Sequence, residues 1–137
     1  MSVKLYGSSM VGLKKITEDD LEWARKLRND NRHRFFYDGK ISKQSQQQWF
    51  RDLNYDFYVA WDGEVRIGTI SLCKGEIGNV LIDHHYRGKG YGREMMLLVV
   101  KMALELGFMP RVEVFPGMVS YYECFGFKPI KVVMEMT

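Results

Sequence analysis

The chain has 137 residues, 46% hydrophobic and 27% charged, with 20 Lys and Arg against 17 Asp and Glu for a formal net charge of +3. This length suits one domain over residues 1–137, large enough to bury roughly two-thirds of its unfolded surface without staples. The composition excludes a disordered or fibrous chain. The mild, scattered basic excess argues against a nucleic-acid partner, which calls for a basic stripe or cluster.

Cys73 and Cys124 stand far apart, outside any metal-ligand spacing, and read as buried free thiols. No metal site is expected. The opening Met-Ser-Val-Lys-Leu-Tyr-Gly has no apolar signal core, and no apolar run approaches the ~20 residues that span a bilayer. The expectation is a cytoplasmic protein with no membrane partner.

In chain order, residues 3–13 supply a first strand running into Lys14-Lys15-Ile16. Thr17-Glu18-Asp19-Asp20 reads as a helix start, with Thr17 as cap and Asp20 in the reciprocal position usually held by Glu or Gln. Leu21, Ala24, Leu27 and Arg28 follow at helical spacing, with Trp23 beside them. A second helix begins at Ser42 and turns Trp49, Phe50 and Leu53 to its apolar side. Between the two, Arg32-His33-Arg34-Phe35-Phe36-Tyr37 is basic and aromatic with no clean period.

The middle is β. Residues 57–61 and 64–72 flank Asp62-Gly63, a tight-turn dipeptide. Lys74-Gly75 makes a second turn, and residues 76–83 form an Ile- and Val-rich strand. Residues 93–106 read as a helix apolar nearly all round, hence buried against a sheet, with Gly107 as its left-handed cap. A strand at 111–115, a short helix at 118–125 ended by Gly126, and a last strand at 132–136 complete the chain. The order β-α-α-β-β-β-α-β-α-β predicts an α+β fold around a single mixed sheet. Residues 76–83, the long helix and residues 111–115 should form a right-handed parallel unit.

Arg87-Gly88-Lys89-Gly90-Tyr91-Gly92 sets three glycines at alternate positions before that long helix. Glycine lets the backbone curl and a ligand approach. The first helical turn offers unpaired N–H groups at the positive end of the dipole, and Arg87, Lys89 and Arg93 add cations. Pyrophosphate suits such a site. Read alone, the pattern is equally compatible with a solvated loop. A dinucleotide fingerprint fails, since the turn does not follow the first strand of an α/β array, and no Gly-Lys-Ser/Thr ending makes it a Walker loop.

The segment Val80-Leu81-Ile82-Asp83-His84-His85-Tyr86-Arg87-Gly88-Lys89-Gly90-Tyr91-Gly92 resembles motif A of the GNAT N-acyltransferase superfamily, and Tyr122-Glu123-Cys124-Phe125-Gly126-Phe127 resembles the end of its motif B. Leu27-Arg28-Asn29 and Ile41-Ser42 before Trp49-Phe50 are similar to the Rim-type branch of ribosomal-protein N-terminal and amino-sugar acetyltransferases. The resemblance implies a GNAT-like fold and acetyl-CoA as co-substrate. It implies pantetheine pairing along Val80, Leu81 and Ile82, whose N–H groups could also bind the oxyanion, and pyrophosphate binding at Arg87, Gly88, Lys89, Gly90, Tyr91, Gly92 and Arg93. The family usually carries about one more turn of helix before Tyr122, often opened by a cofactor-binding asparagine. Phe115-Pro116-Gly117-Met118-Val119-Ser120-Tyr121 lacks it, leaving Ser120 as a substitute.

Acyl transfer from a thioester to an amine requires a deprotonated amine, a stabilised oxyanion and a protonated leaving thiolate. Tyr122 matches the family's general acid, with Tyr121 as its neighbour; Glu113 matches a water-mediated base, and Glu76 is the alternative. His33, His84 and His85 read as surface residues. The resemblance implies a small-molecule or peptide amine as acceptor, shaped by the segment around Arg32–Tyr37, and a homodimer is common in such families.

Overall fold

The computed structural model describes residues 2–4, 10–35 and 37–137, with the side chains of residues 2–4 and 10 left aside. Six strands form one sheet in the order β1 (Ser2–Lys4), β2 (Met10–Lys15), β3 (Asp56–Asp62), β4 (Val65–Cys73), β5 (Glu76–Ile82) and β6 (Arg111–Val112). All neighbours are antiparallel except β5 and β6. The helices are α1 (Leu21–Asp30), α2 (Lys43–Asp52), α3 (Tyr91–Glu105) and α4 (Val119–Glu123).

Strand alternation sorts side chains into two cores. Tyr58 and Ala60 of β3 join Ile67, Ile70 and Leu72 of β4 against Met95, Met96, Leu98, Val99 and Ala103 of α3. Phe57 and Val59, pointing the other way, meet Leu21 and Ala24 of α1 and Trp49 of α2. Helices on both faces leave β4 buried from Ile67 to Leu72.

Local chemistry closes each element. Asp20, 4% exposed, accepts from the Thr17 N–H at 2.8 Å and hydroxyl at 3.0 Å. Its other oxygen accepts from Arg66 Nε at 2.9 Å, tying the start of α1 to β4. Asp20→Ala removes a cap and a half-buried ion pair together, so the expected loss is about 2–3 kcal/mol, read from denaturant midpoints. Ser42 caps α2 through the Ser45 N–H at 3.1 Å. Lys74 (φ 49°) and Gly75 (φ 88°) form the two positive-φ positions of the β4–β5 hairpin. A Cβ on Gly75 would fall 2.6 Å from the Met109 carbonyl oxygen. Gly107 (φ 85°) ends α3, with the Phe108 N–H reaching back to the Ala103 carbonyl at 2.9 Å.

The ends of the chain depart from the expected order. The strand expected over 3–13 is an antiparallel pair, β1 and β2, with Val3 opposite Val11; residues 5–9 lie outside the described residues. The strand expected at 111–115 spans only Arg111–Val112. The strand expected at 132–136 is absent, and Val132, Val133, Met134 and Met136 are 80–100% exposed. Its sequence offers β propensity and sets Val132, Met134 and Met136 on one strand face, but local pattern needs a neighbouring strand to pair with. With β6 ending at Val112, no ladder extends to receive it. The helix expected at 118–125 is a 3₁₀ turn, Pro116–Met118, followed by α4. No helix among the described residues is long and apolar enough to cross a membrane.

Candidate active site

β5 organises the site. Parallel pairing with β6 covers only Glu76 opposite Arg111 and Ile77 opposite Val112. From Gly78 to Ile82 that edge of β5 has no strand beside it among the described residues. Backbone N–H and C=O groups along such an edge can pair with an extended amide-bearing ligand. On the β4 side, Gly78 stands opposite Ser71 and Leu81 opposite Thr69, so Asn79 and Val80 face a single residue, Ile70. This bulge puts Asn79 at φ 53°. Thr69 Oγ1 donates to the Asn79 carbonyl at 2.7 Å, and Asn79 Nδ2 donates to Ser71 Oγ at 2.9 Å. The extra residue resets the alternation. Ile77, Val80 and Ile82 pack toward α3, while Asn79 and Leu81 line a cavity under α1 and α2.

β5 runs into the glycine turn. Asp83 caps the intervening 3₁₀ turn by accepting from the His85 N–H at 3.0 Å. Burial pushes the Asp83 carboxyl up, but the His85 N–H and ring and the His84 ring outweigh it and hold the group below its ordinary range. Gly88 (φ 75°) and Gly90 (φ 88°) adopt left-handed backbone, and a Cβ on either would meet no atom within 4 Å. Gly90 caps α3. The open space in front of these glycines and the first N–H groups of α3 together suit an anionic oxygen cluster. Lys89 lies 5.7 Å over the Tyr86 ring and Arg93 5.9 Å over the Phe125 ring. Arg87 donates to the Ile82 carbonyl at 3.1 Å and to Asn31 Oδ1 at 2.7 Å, bracing the turn against the end of α1. Tyr91 donates its hydroxyl to Asp62, which binds the first turn of α3 to the tip of β3.

Among the acid and base candidates, Tyr122 is 8% exposed and packs in the α3 core, with ring centroids 5.1 Å from Tyr121 and 6.0 Å from Phe127. Burial pushes its phenol above the ordinary value of 10.0, with a smaller push from Tyr121. Tyr121 is 43% exposed, and its hydroxyl would lie 3.4 Å from a Cβ on Gly92. Glu113 is exposed just beyond β6. Glu76 sits beside the Lys74-Gly75 turn with Arg111 Nη2 at 3.8 Å, roughly 20 Å along β5 from the glycine turn. His33, His84 and His85 are exposed, as expected. Cys73 and Cys124 are free thiols but exposed rather than buried: one ends a strand and the other follows the short α4.

The model of the Acetyltransferase (GNAT) family matches residues 19–127. The chain belongs to this family. The fold repeats in solved structures. A domain from Methanocaldococcus jannaschii DSM 2661 has TM-score 0.81 at 20% identity, covering 93% of this chain and 94% of that one. Spermidine N-acetyltransferase from Vibrio cholerae, in complex with CoA and spermine, gives 0.72 at 20% identity over 85% and 79%. Glucosamine-6-phosphate N-acetyltransferase from Arabidopsis thaliana gives 0.69 at 14% identity over 93% and 97%. The comparison with curated proteins finds no match.

A GNAT acetyltransferase takes its acetyl group from acetyl-CoA. Sequence reading missed the bulge at Asn79; the adjacent Gly78-Asn79 pair inside a strand was its available signal. It also missed Glu94, 5% exposed with Oε1 unpartnered and its carboxyl pushed up by burial and then by Asp62.

Among the described residues, four phenols are raised in the fold. Tyr58, Tyr121 and Tyr122 are raised chiefly by burial, and Tyr91 is pushed up to about 12, first by its hydrogen bond to Asp62 and then by burial. Unfolded phenols ionise near pH 10, so above that value the unfolded chain releases protons the folded chain keeps. The stability tied to these groups is whole below about pH 10 and is lost as pH rises through the folded values. Denaturant midpoints should therefore fall steeply above pH 10, and the fall should be shallower in Tyr91→Phe.

Proposed function

We propose that the chain transfers an acetyl group from acetyl-CoA to a primary amine of a protein N-terminus, an amino sugar or another small molecule, by direct attack in a ternary complex. The observation that carries this reading is the edge of β5 beyond Ile77, which has no strand beside it among the described residues and leads straight into the glycine turn and α3. Val80, Leu81 and Ile82 would hold the pantetheine amides through their backbone. Gly88, Gly90 and Gly92 with Lys89 and Arg93 would hold the pyrophosphate, while Arg87 and Tyr91 set the shape of the turn.

The amine nitrogen attacks the thioester carbonyl after giving a proton to Glu113 through water, with Glu76 as the second candidate. A β5 N–H steadies the oxyanion. As the tetrahedral intermediate collapses, the C–S bond breaks and Tyr122 gives its proton to the CoA sulfur. A phenol raised by burial stays protonated at neutral pH, as an acid must. Within the family, the Rim-type branch is favoured by Asn29, which holds Ile41 by two hydrogen bonds of 3.0 and 2.8 Å and so fixes the loop entering α2.

A second reading, a non-catalytic acyl-CoA-binding module, is favoured by the five-residue α4 and by the absence of asparagine from residues 115–121. Incubation with acetyl-CoA and a panel of amines, following free thiol release, separates the two. Thiol release with any amine supports the enzyme. A raised melting temperature with acetyl-CoA and no release with any amine supports the module.

A further inference from the structure

A cavity of about 200 Å³, the space of roughly seven water molecules, lies between α1, α2 and the bulged part of β5. Trp49, Phe57, Ile41 and Leu81 give it an apolar floor, and Arg25 and Arg28 of α1 give it two guanidinium groups. Among the described residues that line it there is no carboxylate. Asn79 and Leu81 connect it to β5, the strand assigned above to the donor.

The charge in this cavity is incompletely answered. Arg28 stacks 4.1 Å over Phe35 and gives its terminal nitrogens to the backbone carbonyls of Gly39, at 3.4 Å, and Tyr37. Burial lowers its guanidinium pKa, against smaller upward effects of Tyr37 and Asp38. Arg25 is 19% exposed and meets Glu22, itself 66% exposed, at 2.7 Å. A second nitrogen reaches the Ile41 carbonyl at 3.4 Å, but its Nε is buried with no partner. A buried charged donor left unpaired is costly unless a ligand oxygen completes it.

We propose that this cavity binds the acceptor and selects an amine that also carries an anionic oxygen group, a carboxylate or phosphate, on a compact body. The anion pairs with Arg25 and Arg28, the body lies against Trp49 and Phe57, and the amine faces β5. A polyamine is disfavoured, because its added ammonium groups would meet two guanidiniums and no carboxylate. The direction of the amine rests on the acetyl-transfer reading; the charge preference rests on the cavity itself.

The test compares thiol release for two matched pairs, L-phenylalanine against 2-phenylethylamine and glucosamine 6-phosphate against glucosamine, with spermidine alongside. The anionic member of at least one pair should show a KM lower by about tenfold or more, the scale of one charge-assisted hydrogen bond; which pair does so separates carboxylate from phosphate. Arg25→Gln should erase that difference by raising the KM of the anionic member toward that of its uncharged partner, and Arg25→Lys should restore part of it. Preference for spermidine or the uncharged amines, or an equal loss for both members in Arg25→Gln, overturns the proposal and leaves acetyl transfer standing. If acetyl-CoA binds but no amine releases thiol, the acetyl-transfer reading fails instead. Calorimetry with L-phenylalanine and glucosamine 6-phosphate then decides the cavity: binding lost in Arg25→Gln upholds it, and no binding to the unaltered protein overturns it.

Discussion

Replacing Gly90 with valine is expected to abolish acetyl-CoA binding while leaving a folded protein. Gly90 sits at φ 88° as the cap of α3, a conformation that costs an ordinary residue roughly 1–2 kcal/mol and a β-branched one more. The new side chain meets no protein atom within 4 Å at its Cβ, so the core is not overpacked and the damage is confined to the turn. There it does two things. It shifts the backbone N–H groups that open α3, and it fills the space in front of them. Losing two hydrogen bonds to a charged oxygen, at about 1.5–3 kcal/mol each, weakens affinity by about 100-fold or more. Calorimetry with acetyl-CoA reads the affinity, and thermal unfolding shows that the fold persists. Undiminished binding in Gly90→Val would remove the glycine turn from the donor site.

Tyr122→Phe is expected to lower kcat by about 100-fold or more, within the range of a lost general acid, with acetyl-CoA affinity unchanged. The phenyl ring occupies the same apolar position against Tyr121 and Phe127, so packing is kept and the change is confined to one ionisable proton. Tyr121→Phe is the necessary comparison, because its hydroxyl lies close to Gly92 at the start of α3 and its phenol is also raised by burial. Single-turnover rates should be slow in Tyr122→Phe and near the unaltered rate in Tyr121→Phe. The reverse result would move the acid one residue back along α4.

The elements legible in the sequence were those defined by short-range chemistry. Ser42 marked α2, Lys74-Gly75 marked a two-residue hairpin, and Gly107 marked the end of α3, because each depends on one residue's φ or one side-chain cap. The glycine turn was legible for the same reason, with Gly88 and Gly90 both in left-handed backbone. Side-chain assignments were less legible. Arg87 stands beside the other cations of the turn, and only the fold shows that it also braces Asn31, 56 positions away in the chain. Cys73 and Cys124 look like buried thiols by residue type, and their places at element ends expose them.

By itself, then, the sequence determined the family and the left-handed glycine turn that opens α3, since local backbone geometry and motif spacing are carried by neighbouring residues. Only the tertiary structure decided where β5 loses its partner, which way Asn79 points, and that Arg25, Arg28, Trp49 and Leu81 enclose one cavity. Those features arise where helices and strands distant in sequence meet across the sheet. A glycine turn can announce an anion site within six residues, whereas the cavity proposed for the acceptor exists only once α1, α2 and β5 have packed together.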